Sequence, residues 1–500
     1  VRRTPSSRLA AWIGVGAVAA GVLVSVPAPA AAASTLTWGS CGDAGLDAGG
    51  FQCSTLTVPK DRKNPKDGTV RLAVIRHPST GTPEQRIGSL VLNPGGPGGA
   101  GTEVVEPIWA ALPDEIKSRF DLVSWDPRGV GRTTPALKGC DAPWPDRPDT
   151  GRVNWAKVAT AFQKTLAKAN AECQAKNADL VPFMGTNENV EDLDRLRAAL
   201  GDEKLTFWGI SYGTRIGYLY ALKHPERTRA IILDGSIDPA GTTLGFADGG
   251  SASDQAFGVF AQLYPKAAVA IQLSLAKLNT KTVPLPNGTE LTRWDVIDFV
   301  YNAIAQERVY APIADQVAGL LYALVFGKGE QQAAAAEAAV GVFARQPNSN
   351  AGGVFSVVNC LDYPGRPGLQ QAISAINTQR RYGPVNGATT TTSFVLGCSG
   401  LSMKPDPVPL IGGQGPDIPL LILGATRDGS TPQMWTARMS RAFPQSRTVT
   451  YAGGLHGTWV ASNGDCVNSV ANTFVTTLAL PATDLACPNS YQAPAGPGAP

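Results

Sequence analysis

A serine at position 211 stands between Gly209 and Gly213 in the stretch LTFWGISYGTRIGYLYALKHPE, residues 205–226. Apolar residues lead up to it and a helix-like pattern leaves it. In a strand–elbow–helix setting, a serine hydroxyl is pushed out above a sheet, next to a helix N-terminus that favours developing negative charge. Such a hydroxyl becomes a nucleophile only with a base beside it. The chain has three histidines, His77, His224 and His456. His224 closes the helix after Ser211, where it is expected to meet the last carbonyls of that helix. His77 follows an early strand, precedes Pro78, and reads as structural. His456 lies in YAGGLHGTW, after a late strand, where the chain order serine, acid, histidine requires it. An acid at the end of the preceding strand would orient that histidine. LLILGATRDGSTP supplies Asp428; Asp417 precedes the same strand and falls at the opposite edge of the sheet, and Asp234 is a second fallback. Acyl transfer also needs donors for an oxyanion. The amide of Tyr212 is one, and the loop NPGGPGGAG (93–101) can bring the other. That loop lacks both the spacing of a dinucleotide fingerprint and the lysine of a phosphate loop.

These residues must be positioned by a scaffold. Strand patterns occupy 69–78, the start of 88–101, the start of 120–133, 204–209, 229–236, the start of 418–432 and the start of 447–457, and a helical pattern with Val190, Leu193, Leu196 and Leu200 on one face occupies 187–200. Strands alternating with helices predict a mostly parallel sheet covered on both faces. From 239 to 406 strand signals are scarce and Ala-rich helical stretches dominate, so a mainly helical cap is expected to interrupt the α/β domain before its last strands. The expected organisation is therefore 1–33 leader, 34–238 first part of the core, 239–406 cap, 407–488 second part of the core, and 489–500 a Pro/Gly/Ala-rich tail.

Residues 1–33 place Arg2, Arg3 and Arg8 before an apolar run and a small-residue end, PAPAAAAS, which predicts a secretory signal peptide cleaved near Ala33. No other run predicts a membrane anchor. The chain has 43 Lys and Arg against 40 Asp and Glu, and the leader carries three of the arginines, so the mature chain is formally neutral. Neutrality argues against a nucleic-acid partner or an anionic membrane surface. Eight cysteines, Cys41, Cys53, Cys140, Cys173, Cys360, Cys398, Cys466 and Cys487, predict disulfides in an exported chain. Eight cysteines allow 105 connectivities; pairing each with its sequential neighbour closes the shortest loops and is the expectation. Without a C-x-x-C pair and with so few histidines, no metal site is expected, and the proposed chemistry needs no cofactor.

The motifs LNPGGPGGAG, WDPRGVGRT, TNENVEDLDRLR, GISYGTRIG, VVNCLDYPG, ILGATRDGSTP and GGLHGTW together resemble the α/β-hydrolase fold, and within it the secreted tripeptidyl aminopeptidases of Streptomyces and related actinobacteria, allied to the prolyl iminopeptidases. The resemblance runs from about Trp38 to Cys487. It implies Ser211, Asp428 and His456 as a catalytic triad and Gly96, with Tyr212, as the oxyanion hole. It also implies an exported exopeptidase that releases short peptides, tripeptides in the best-known member, from free N-termini. The loop departs from prolyl iminopeptidases in opening with Pro94 where they carry histidine, which leaves the length of the released peptide open. A free amine calls for a carboxylate in or under the cap; Asp362 in NCLDYPG is one candidate, with Glu188 and the cap acids as others. A monomer is expected. The same triad would serve a secreted esterase or amidase, and a catalytically silent binding protein of this fold is the reading from another class.

Overall fold

The computed structural model describes residues 36–491 except 142, 344–349, 410–414 and 463–464; the leader and most of the tail lie outside the described residues. Nine strands form one sheet: β1 (Gln52–Asp61), β2 (Asn64–His77), β3 (Gly88–Asn93), β4 (Phe120–Trp125), β5 (Leu205–Ile210), β6 (Thr228–Asp234), β7 (Leu420–Ala425), β8 (Arg447–Tyr451) and β9 (Leu485–Cys487). Their spatial order is β1-β2-β4-β3-β5-β6-β7-β8-β9. β1 pairs antiparallel with β2, and β2 antiparallel with β4. All the other pairings are parallel.

The central strands are short and apolar because both their faces are buried. Along β7, Leu420 and Ile422 belong to one core cluster and Leu421 and Leu423 to the other. The first cluster is completed by the helices Thr186–Ala199, Gly213–Lys223 and Gln433–Ala442, through residues such as Leu193, Ile216 and Met439. The second is completed by Gly101–Ala111 and Asp465–Thr477, through Val105 and Phe474. This is the α/β-hydrolase architecture that the motifs imply. β1 is not evident from sequence periodicity: it holds a proline, Pro59, which the edge of a sheet tolerates. β2 starts at Asn64, five residues before the alternation that marks it.

The strand order matters for the site. The chain passes from β3 to β4 on one side and returns to β5 on the other. The loops leaving the C-terminal ends of β3 and β5 therefore lie side by side at the switch point of the sheet, the place at which doubly wound sheets bind ligands.

Between β6 and β7 the regular elements among the described residues are helices, apart from a two-residue pairing of Val283–Pro284 with Glu290–Leu291. The first half of this insert has its own core, including Phe260, Ile271, Trp294, Ile297, Leu321 and Leu324. Its second half feeds Val357, Leu361 and Leu401 into the core beneath the sheet. Four disulfides join Cys41–Cys53, Cys140–Cys173, Cys360–Cys398 and Cys466–Cys487. Among the described residues, no helix is long and apolar enough to cross a membrane.

The motif WDPRGVGRT is explained by packing. Arg128 is buried and grips both oxygens of buried Asp192, at 2.6 and 2.9 Å, while it donates to the carbonyls of Pro59, Lys60 and Phe183. It thereby ties the edge hairpin to the helix Thr186–Ala199. Replacing Arg128 with Ala would strand the Asp192 carboxylate in the interior. The expected loss is about 3–5 kcal/mol, read as a lowered midpoint in guanidinium unfolding.

Candidate active site

β5 ends at Ile210 and the chain turns sharply at Ser211, whose φ is +56°. A non-glycine residue held in that region is strained, and such strain persists where the surroundings fix it. Here the Ser211 amide donates to the Asp234 carbonyl at 2.9 Å, and the Ser211 carbonyl accepts from the amide and the hydroxyl of Thr214, at 2.9 and 2.6 Å. The flanking glycines are needed for closeness: a Cβ on Gly209 would strike the Gly213 carbonyl, and one on Gly213 would come within 2.6 Å of the Asn93 carbonyl. The helix Gly213–Lys223 then starts directly behind the serine, its N-terminus directed at the turn.

The loop after β3 meets this elbow. Asn93 Oδ1 accepts the Gly95 amide at 3.1 Å, and Gly95 and Gly96 have φ of +93° and +107°. A Cβ on Gly95 would lie 2.8 Å from Ser211 Cβ and 3.0 Å from the Tyr212 nitrogen, so the two backbones touch. Among the described residues, neither the Gly96 nor the Tyr212 amide has an acceptor. Two unengaged N–H groups thus stand on touching loops beside the serine, an arrangement that suits a developing oxyanion.

β7 and β8 are adjacent and parallel, so the loops after them emerge side by side. The first carries Asp428 and the second His456. His456 Nδ1 is 3.0 Å from both carboxylate oxygens of Asp428. Asp428 is itself buried and fixed: Oδ1 accepts the amides of Ser430 and Thr431 at 2.7 and 2.8 Å, and Oδ2 accepts the Thr431 hydroxyl at 2.8 Å. That hydroxyl also lies 3.2 Å from His456 Nδ1. Thr431 is not among the residues that the motifs single out, although a serine and a threonine two and three residues after an aspartate are the pattern of a local side-chain turn. Burial disfavours the imidazolium, but the Asp428 charge and hydrogen bond, with Asp234 further away, outweigh it and hold His456 above its ordinary value near 6.5.

The fallback acid Asp234 has another task. Its carboxylate accepts the amides of Thr458 and Trp459 and the Thr458 hydroxyl, all at 2.8–3.0 Å. With its carbonyl on the Ser211 amide, it joins the Ser211 turn to the histidine loop. Gly457, beside His456, packs against Ile210, beside Ser211: a Cβ there would lie 3.2 Å from Ile210 Cγ2.

The other candidate residues fall elsewhere. His77 bonds the carbonyls of Pro78 and Gly49 and stacks on Trp109 at 3.8 Å. His224 has Nε2 3.7 Å from Glu191 of the neighbouring helix. Asp362 is corrected as the candidate for a substrate amine. It is fully buried and accepts from Arg215 at 2.8 Å, the Thr186 amide at 2.8 Å and the Thr186 hydroxyl at 2.6 Å. Burial pushes its carboxyl upward, and Arg215 and Thr186 oppose that shift. A carboxylate so enclosed has no free face for a ligand. Glu188 is likewise buried, against Arg62 at 2.6 Å and Arg128 at 3.4 Å. Internal ion pairs of this kind leave no trace in composition or periodicity.

Known proteins resemble this chain in both of the segments that supply the site. Residues 88–271, which include Ser211, match a model described as alpha/beta hydrolase fold. Residues 383–487, which include Asp428 and His456, match a model described as TAP-like protein. The chain is 29% identical over 452 residues to serine protease Hip1 of Mycobacterium tuberculosis, covering 85% of each chain. It is 27% identical over 495 residues to tripeptidyl aminopeptidase of Streptomyces coelicolor, covering 93% of this chain and 88% of the relative. Carboxylesterase B of M. tuberculosis is 31% identical over 211 residues, covering 41% of this chain and 40% of the relative.

A base must be neutral, so kcat/KM should fall as pH drops through the raised His456 value, with its acid limb above 6.5. Thr431→Val should lower kcat about 10- to 100-fold by removing a hydrogen bond to a charged acceptor, whereas Asp428→Asn should cost about 10⁴-fold. Steady-state kinetics across pH reads both effects.

Proposed function

We propose that this chain, an α/β-hydrolase by fold and similar over nine-tenths of its length to a tripeptidyl aminopeptidase, is an exported serine exopeptidase that releases short peptides, tripeptides above all, from free N-termini. The observation that carries the reading is the Asp428–His456 pair, set on neighbouring strand ends and tied by Asp234 to a strained serine elbow. Ser211 Oγ attacks the scissile carbonyl as His456 takes its proton. The Gly96 and Tyr212 amides receive the oxyanion, and the helix N-terminus adds to the same field. His456 then protonates the leaving amine, Asp428 stabilises the imidazolium throughout, and water repeats the sequence on the acyl-enzyme.

Residues 239–406 act in this reading as a cap over the C-terminal edge of the sheet, between core segments 34–238 and 407–488. Exopeptidase action follows if the cap closes one end of the cleft. Four disulfides fit an oxidising compartment and support export. The similarity to carboxylesterase B favours a second reading, an esterase or amidase with the same residues, but it spans less than half of the chain.

Digestion of a library of free-amine peptides, followed by mass spectrometry, separates the two. Release of N-terminal tripeptides is expected, with N-acetylated peptides and short esters cut at least tenfold more slowly and Ser211→Ala inactive. Equal rates on blocked peptides or esters would remove the aminopeptidase reading.

A further inference from the structure

The histidine loop, AGGLHG at 452–457, is poorly equipped to hold itself. Half of it is glycine, whose backbone is the most costly to order. Asp428 holds the ring and Asp234 holds the residues after it, but neither fixes the peptide groups of His456 itself. The insert does. The His456 amide donates to the Ala305 carbonyl at 2.9 Å, and Gln306 Nε2 donates to the His456 carbonyl at 2.6 Å. The next residue, Glu307, accepts the Gly454 amide at 2.7 Å and the Tyr451 hydroxyl at 2.8 Å. Three consecutive insert residues thus grip both sides of the catalytic histidine and the strand end from which its loop departs.

Glu307 is buried, and among the described residues it has no basic partner. Its hydrogen bonds to the loop, with Asn489 at 3.5 Å, are what satisfy it. A buried carboxylate is retained at a cost that its hydrogen bonds must offset. The loop glycines make the contact possible. A Cβ on Gly453 would strike the Tyr451 ring and Glu307, and one on Gly454 would strike the Tyr310 hydroxyl. Two consecutive glycines, unexplained by the triad itself, are accounted for by the approach of the insert.

We propose that Ala305–Gln306–Glu307 is a clasp that positions His456, so that the seating of the insert sets turnover as well as access. Gln306 and Glu307 are positioning residues: they act through the loop and touch no reacting atom. Removing either lets the histidine loop drift, and a displacement of about 1 Å at a reacting group costs on the order of 100-fold in rate. This inference rests on the reading of His456 as the general base.

The test uses the full mature chain and a free-amine chromogenic tripeptide, with Gln306→Ala, Gln306→Glu, Glu307→Ala, Glu307→Gln and His456→Ala. Folding is checked by circular dichroism, and kinetics are taken well below each melting temperature. Expected results are kcat lowered about tenfold or more in Gln306→Ala, Gln306→Glu and Glu307→Ala, with KM changed less than about twofold. Glu307→Gln, which keeps an acceptor for the Gly454 amide, should recover most of kcat. The size-conserving Gln306→Glu and Glu307→Gln variants decide the matter if an alanine variant does not fold. The clasp is overturned if melting temperatures fall while kcat stays at the parent value, or if Glu307→Gln is as impaired as Glu307→Ala. An active His456→Ala would instead overturn the triad. An inactive His456→Ala beside a normal Gln306→Ala would overturn the clasp alone.

Discussion

An imidazole serves as a base only when one nitrogen is fixed and the positive charge it will carry is already met. The hydrogen bond between His456 Nδ1 and the Asp428 carboxylate meets both needs, and the surrounding fold is arranged to preserve it. Asp428 cannot rotate, because two amides and the Thr431 hydroxyl occupy its other lone pairs. The two loops cannot separate readily, because β7 and β8 run parallel and in register from Arg447–Leu421 to Tyr451–Ala425. A positive charge on the ring would thus be met by a carboxylate and by dipoles already in place.

Connectivity carries the same logic outward. The crossover at β3 and β5 makes these strands neighbours, so the glycine-rich loop after one meets the elbow after the other. Asp234, at the end of β6 between β5 and β7, bonds to the Ser211 turn and to the loop that carries His456. A buried aspartate bonded to backbone amides is a mechanical part here, and burial alone pushes its carboxyl upward while those amides oppose the shift. The insert adds contacts of its own, so the histidine is held between elements more than 100 residues apart in the chain.

Much of this was legible from residue types. The elbow, the glycine loop, Asp428 and His456 sit where apolar strands end, and strand ends show clearly in sequence. The parallel core showed for the same reason: strands buried on both faces read as continuous apolar runs. What stayed hidden was long-range pairing among polar groups. Asp362 and Glu188 read as available acids, yet Arg215, Arg62 and Arg128 claim them in three dimensions. Asp234 read as a spare acid because its distance from Thr458 along the chain conceals the contact. β1 escaped notice because an edge strand with Pro59 has little burial pattern to display. The Ala305–Glu307 contact had no sequence signal beyond the otherwise idle Gly453–Gly454.

The central claim is that Ser211 is a nucleophile activated by the Asp428–His456 pair. Reaction of the folded protein with a fluorophosphonate, followed by peptide mapping, tests it most directly. The account predicts one phosphonyl group per chain, on Ser211, with labelling abolished in Ser211→Ala and strongly slowed in His456→Ala. Labelling at another residue, or an unreactive Ser211 in folded protein, would contradict it.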